Sequence, residues 1–171
     1  MSQVEQPEPW LRGPMEDVHP LLSPVLYAFQ QAREDLAKWT EGLTDEQIWD
    51  RPEGLGAVGF HLRHIAGSTE RLMTYATGKQ LTERQLAALR AEMTPGAGRE
   101  ELLKDLDVVF RNAEHQIRSI HPATLTDCRE IGRKRLPSTV AGLLTHIAEH
   151  TQRHVGEAII TAKLLKSRGF R

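Results

Sequence analysis

Apolar residues recur along this chain at three- and four-residue steps, the spacing that lines one side of an α-helix. Between Leu21 and about Leu43 the stripe is Leu22, Leu26, Phe29, Ala32, Leu36 and Trp39, with Pro24 in the first turns. Thr44 and Gln47 form a capping-box pattern that predicts one short helical turn before Pro52 stops it. A second long helix is predicted from Ala57, with Val58, Leu62, Ile65, Thr69, Leu72 and Ala76 on one face and a stop at Gly78. A third runs from about Arg99 to Ile120 on Leu102, Leu103, Leu106, Val109, Phe110, Ala113 and Ile117, and His121-Pro122 closes it. The last is capped by Ser138 or Thr139 and continues to about Ser167, before Gly169, on Leu144, Ala148, Thr151, Val155, Ala158, Ala162 and Leu165.

Two of the connections are long. Residues 79–97 hold a short predicted helix, Glu83 to Met93, closed by Pro95-Gly96. A link of that length leaves room for the second and third helices to run parallel, so strict up-and-down order does not follow. Residues 122–137 read as a polar loop whose basic run, Arg133 to Arg135, is solvated surface. No strand alternation competes with the helical spacing anywhere. The expectation is an all-α, four-helix bundle with long connections between helices two and three and between three and four. Pro7, Pro9, Gly13 and Pro14 mark residues 1–18 as an N-terminal tail or strap, leaving 19–171 as one domain.

Composition adds limits. A chain of 171 residues, 39% hydrophobic and 26% charged, is long enough for one domain with a sizeable core. Its 22 basic and 23 acidic residues leave a net charge of -1, which removes a whole-chain electrostatic case for nucleic acid or an anionic membrane. The single Cys128 excludes an internal disulfide and any zinc site built from several thiolates. Together with an acidic, proline-bearing N-terminus and no long apolar run, it points to a cytoplasmic protein.

The eight histidines are the unusual count. His146, His150 and His154 lie at i, i+4 and i+8 of the last helix. Neighbours in that series rise about 6 Å along the axis, close enough to converge on one ion, whereas the outer pair, about 12 Å apart, is not. Position relative to the apolar stripe favours His150 with His154. A two-histidine chelate needs a further ligand, and the second helix offers His61 and His64, between which periodicity does not choose. Bundle packing without metal is the competing reading, because a histidine beside an apolar face is commonly a hydrogen-bonded core residue. His150-Thr-Gln-Arg-His154 has the spacing of the zinc-protease motif but Thr151 where that motif has its glutamate. The di-iron pattern fails as well, because no glutamate lies three residues before His64, His150 or His154. What remains is a single all-histidine site.

Residues 59–78, GFHLRHIAGSTERLMTYATG, and 138–165, STVAGLLTHIAEHTQRHVGEAIITAKLL, resemble the DinB and YfiT-like family of metalloenzymes, and helix order agrees over residues 20–167. The resemblance implies a four-helix bundle with one metal-binding histidine on the second helix and two on the fourth. Carried across, these are His64, His150 and His154, with His61, His146 and Arg153 lining the pocket or standing behind the ligands. Many relatives have Arg-Gly-Gln after the last ligand where this chain has Val155-Gly156-Glu157, and a histidine where it has Arg153. Glu157 is the candidate catalytic residue, as a general base or added oxygen donor.

The implied cofactor is one divalent transition metal, zinc, nickel or iron, and the implied co-substrate is a low-molecular-weight thiol. The leading expectation is a metal-dependent thiol transferase acting on a small molecule, with Arg63 or Arg153 meeting the thiol's carboxylates. The alternatives are a metal-dependent hydrolase and a stress-associated protein that binds a metal or small ligand without turnover. A homodimer is implied too, with Trp10 and Trp49 as candidate exposed anchors and Trp39 in the core.

Overall fold

Helices α1 (Ser23–Thr40), α2 (Val58–Ala76), α3 (Glu83–Arg90), α4 (Arg99–Arg118) and α5 (Val140–Arg168) carry the computed structural model, which describes residues 6–168. The stop predicted at Gly169 lies outside the described residues, as do the first five residues of the predicted strap. α1 ends at Thr40, short of the expected Leu43, where the Leu43 N–H donates to the Thr40 carbonyl. The Thr44–Gln47 capping box is present, with both reciprocal hydrogen bonds formed (3.0 and 3.2 Å). α2 ends as predicted at Gly78: its φ of +76° lets the Gly78 N–H reach the Tyr75 carbonyl and the Lys79 N–H the Thr74 carbonyl. α3 stops at Arg90 and opens on a second capping box, Thr82 with Gln85. Of the two candidate caps for α5, Thr139 fills the role, its hydroxyl accepting from the Gly142 N–H at 3.0 Å.

Side-chain contacts give the helix directions. α2 and α5 are antiparallel, because His61 meets His154, His64 meets His150, and Tyr75 and Ala76 pack on Leu143. α1 and α5 are parallel: Leu21 and Pro24 line a cleft with Leu144 and Ala148, Gln152 donates to the Ala28 carbonyl, and Lys163 lies over Trp39. α4 runs against α1, with Arg99 bonding the Ala37 carbonyl and Arg33 bonding Glu114. It therefore runs parallel to α2. Trp49 and Arg63 tie the start of α2 to Ala97 and Thr94, just before α4, while Ala76 and Thr77 face Ile120 at the other end. The order is up, down, down, up, and the 79–97 connector makes it possible by carrying the chain back the full length of α2.

The core joins the predicted stripes. Phe29 and Phe110 are fully buried and stacked, ring centroids 4.3 Å apart, amid Leu36, Leu62, Ile65, Leu106, Ile117 and Ile147. Trp39 departs from expectation: it is half-buried at the edge of α1, with Lys38 and Lys163 over its ring. Trp49 is also half-buried, its Nε1–H donating to the Ala97 carbonyl, and Trp10 is 60% exposed. The N-terminal stretch lies along α1, where Arg12 pairs with Glu34 and the Tyr27 hydroxyl donates to the Gly13 carbonyl.

One segment expected to be loop is not. Cys128–Ile131 (β1) and Leu136–Thr139 (β2) form an antiparallel hairpin, pairing Cys128 with Thr139 and Ile131 with Leu136. Charged residues and Pro137 hid strands only four residues long, and the basic run Arg133 to Arg135 is their exposed turn. The hairpin is held by tertiary contact, Ile131 packing on Tyr75 and Leu143 and Arg129 Nε donating to the Ala76 carbonyl at 2.8 Å.

Because Phe110 is fully buried against Phe29, Phe110→Ala should destabilise the fold by about 3–5 kcal/mol, and urea denaturation followed by circular dichroism measures it. A loss under about 1 kcal/mol would contradict this account of the core.

Candidate metal centre

His61 and His64 are one turn apart on α2, and the antiparallel crossing sets them opposite His154 and His150 on α5. His61 is buried and the other three are half-buried at the mouth of the seam. A ligand nitrogen of each of His64, His150 and His154 lies within 4.8 Å of the others. His64 Nε2 and His150 Nε2 are 3.4 Å apart. Two imidazole nitrogens on a tetrahedral ion, each about 2.0–2.1 Å from it, stand about 3.4 Å apart.

The far nitrogens explain why the near ones are free. His64 Nδ1 lies 2.6 Å from the Glu92 carboxylate, and His154 Nδ1 lies 3.0 Å from that of Glu157. A carboxylate only accepts, so both Nδ1 atoms carry the proton, and in a neutral ring Nε2 then keeps the lone pair. His150 Nδ1 faces Ser68 Oγ at 3.4 Å, and that hydroxyl already donates to the Ile65 carbonyl, so it accepts from the ring. The His64 and His150 lone pairs therefore face each other, with a ligand nitrogen of His154 within 4.8 Å of both, an arrangement that suits one divalent ion. A second grouping, His61, His154 and Glu157, shares His154. Its contacts are those of a hydrogen-bond network: His61 Nδ1 is 3.0 Å from His154 Nδ1, and His61 also bonds the Gly56 backbone.

Glu92 is the residue that sequence reasoning missed. It follows α3 in the connector, is 4% exposed, and bonds Arg71 Nη1 through its other oxygen at 2.6 Å. Arg71 is itself buried on α2, and a buried guanidinium requires a carboxylate partner, the one signal that could have drawn attention to the connector's acids. The remaining candidates lie around the rim. His146 and Arg153 are exposed and both bond Glu149, while His146 keeps its ring 5.3 Å from that of His150. Arg63 bonds the Ala91 and Thr94 carbonyls and stacks over Trp49, so it fastens the connector instead of facing the histidines. Phe60 stacks on His64, centroids 5.3 Å apart, and forms an apolar wall.

Burial pushes His61 and His150 down to about 4, with the neighbouring imidazoles adding to the effect and Glu157 opposing it at His61. His154 is lowered as well, by burial and by His64. His61 and His150 are therefore neutral at pH 7.

A family profile for the DinB superfamily matches residues 28–158, and the chain belongs to that superfamily. Among solved structures it is similar to YfiT from Bacillus subtilis, described as a probable metal-dependent hydrolase with an unusual four-helix bundle topology. The two share 15% identity, with a TM-score of 0.65 over 90% of this chain and 93% of that one. The up, down, down, up order is thus found in a chain of that fold. No curated protein sequence matches it significantly. Among the described residues, no helix is long and apolar enough to cross a membrane.

In the metal-free protein the histidine shifts fix the direction of a pH effect. Their folded pKa values lie below the unfolded 6.5, so the unfolded chain takes up protons first as pH falls. Stability is unaffected by these groups above 6.5 and declines as pH falls from 6.5 toward 4. Melting temperatures of chelator-treated protein across that window should drop, with a shallower slope in His150→Gln; parallel slopes would contradict the assignment.

Proposed function

We propose that this chain is a mononuclear metalloenzyme in which His64, His150 and His154 hold one divalent transition ion, zinc, nickel or iron, through their Nε2 atoms. The observation that carries the reading is the convergence of one ligand nitrogen from each of the three rings within 4.8 Å, with all three Nδ1 atoms paired to acceptors. When bound, the ion would supply Lewis acidity at a position the three imidazoles leave open, lowering the pKa of a thiol or water there. The chain's own groups supply the rest. Neutral imidazoles add no negative charge, so the site favours an anionic partner. His61 and Glu157 fix the His154 ring, Phe60 covers His64, and the exposed His146 and Arg153 line the approach for a small molecule.

The reaction we favour is transfer of a low-molecular-weight thiol to an electrophilic small molecule. Glu92 and Glu157, the carboxylates against the ligand histidines, are both bonded to Nδ1 atoms, an arrangement suited to a nucleophile that ionises without a protein base. A thiol, with an ordinary pKa of about 8.5, meets that description better than water. Hydrolysis is the second reading, favoured by the half-exposed Glu157 carboxylate and by the fold shared with YfiT. Cytoplasmic residence, supported by the lone free Cys128, and a homodimer through the exposed Trp10, Leu11 and Leu21 are part of the same proposal.

Elemental analysis of tag-free protein should give about one transition metal per chain, lost in His64→Ala, His150→Ala and His154→Ala while helical content survives. Cobalt-loaded protein titrated with cysteine and glutathione should gain near-ultraviolet thiolate-to-metal absorption. Glu157→Gln should leave that absorption intact; if the protein is instead a hydrolase with Glu157 as base, the same variant lowers hydrolysis by about 10²–10⁴-fold. No metal after reconstitution with all three ions would sink the metalloenzyme reading.

A further inference from the structure

Behind His64 stands a buried ionic trio. Glu92 Oε2 is 2.6 Å from His64 Nδ1 and Glu92 Oε1 is 2.6 Å from Arg71 Nη1, with side-chain exposures of only 5% for Glu92 and 10% for Arg71. Packing alone would be served as well by apolar side chains of similar volume, because burying two charges costs about as much as their attraction returns. What the trio adds is a fixed negative charge aimed at one imidazole nitrogen. We propose that Glu92 is a positioning residue of the metal centre: paired with Arg71, it holds His64 in its Nδ1-protonated form, directs Nε2 toward His150 and His154, and so sets the site's affinity for a divalent transition ion. The affinity half of this rests on the metal reading above; the orientation half does not.

Three observations support the role. Both Glu92 oxygens are occupied, one by His64 and one by Arg71, so the carboxylate is not placed as a fourth ligand. Its position is fixed from both sides in the chain, because Arg63 Nη1 bonds the carbonyls of Ala91 and Thr94, and farther back Gln85 Nε2 bonds Thr74 Oγ1 at 2.8 Å. Space for the pair exists only because residue 67 is glycine: a Cβ there would lie 2.5 Å from Glu92 Oε1 and 2.7 Å from Arg71 Nη1. Those atoms are ends of flexible side chains, so Gly67→Ala would displace the pair and leave the α2 backbone in place. A carboxylate bonded to the far nitrogen of a ligand imidazole orients the ring and raises its basicity, and losing such a partner typically lowers metal affinity about 10–100-fold.

The test uses two readouts on the full chain. Long-range nitrogen-15 correlation spectra of the metal-free protein report which His64 nitrogen carries the proton, and competition with a chromogenic chelator gives the zinc affinity. The wild type should show His64 protonated at Nδ1. Glu92→Gln should lower zinc affinity about 10–100-fold with helical content retained. Gly67→Ala, which removes no polar group and favours the helix, should lower it in the same direction, and Glu92→Gln with Arg71→Met guards against an unpaired guanidinium unfolding the single variant. A wild-type His64 protonated at Nε2, or zinc affinity unchanged in the Glu92 and Gly67 variants, overturns the proposal. If the wild type takes up no zinc, the metal reading has failed, and the spectra alone decide the orientation: Nδ1–H in wild type, lost when Glu92→Leu with Arg71→Met removes the acceptor, supports it, and any other pattern overturns it.

Discussion

A neutral imidazole carries one donor and one acceptor, and burial obliges it to match both or lose the free energy of the group left unmatched. At the seam of α2 and α5 that obligation falls on several rings at once, and the chain meets only half of it. The donors are satisfied outward, by Glu92, by Ser68 and by Glu157 with His61. The acceptors of His64 and His150 are turned inward, toward one another. Everything distinctive about the molecule serves this arrangement: the antiparallel crossing that sets rings of two helices face to face, and the polar residues placed on the outer side of each.

The connector between α2 and α4 answers a need that a short loop could not. A tight turn after α2 would return the next helix antiparallel to it and would bring no backbone past the start of the histidine face. By travelling back along α2, the chain makes α4 parallel to it and carries a carboxylate to His64 on the way. Arg63, read from sequence as a candidate for meeting a ligand's carboxylates, lies over Trp49 and holds this returning strand of chain to α2. The same segment therefore decides both the topology and one wall of the site.

The helices were legible in the sequence because their stripes are long and their signals local: Thr44 with Gln47, Thr139 before Gly142, and Gly78 act through atoms a few residues away. The convergence of His150 and His154 was legible for the same reason, since i and i+4 on one helix are neighbours whatever surrounds them. Position on α2 is a different matter. Periodicity did not choose between His61 and His64; His61 is the buried one, yet depth does not decide which ring meets His150; the crossing of the helices does, and that is tertiary information. Glu92 was beyond reach because nothing in a run of polar connector residues says which of them crosses another helix. The hairpin was missed on the same ground. Its strands are too short to show alternation, and they exist because Ile131 and Arg129 find Tyr75, Leu143 and the end of α2.

The up, down, down, up order also governs how the chain can come together. α1 packs in parallel on α5, so residues near the two ends of the domain are neighbours, as in the bond between Gln152 and Ala28, 124 residues apart. Contacts of such span form only after the intervening chain has closed a large loop, and helical bundles that depend on them lose the kinetic advantage of local pairing. The histidines of α5 meet that of α2 across a comparable gap, His64 to His150 being 86 residues. A nascent chain emerging from its N-terminus holds α1, α2 and α4 long before the residues that complete the cluster are made. The site is thus among the last features of the protein to exist, and an ion seated there would act as a latch on the final helix.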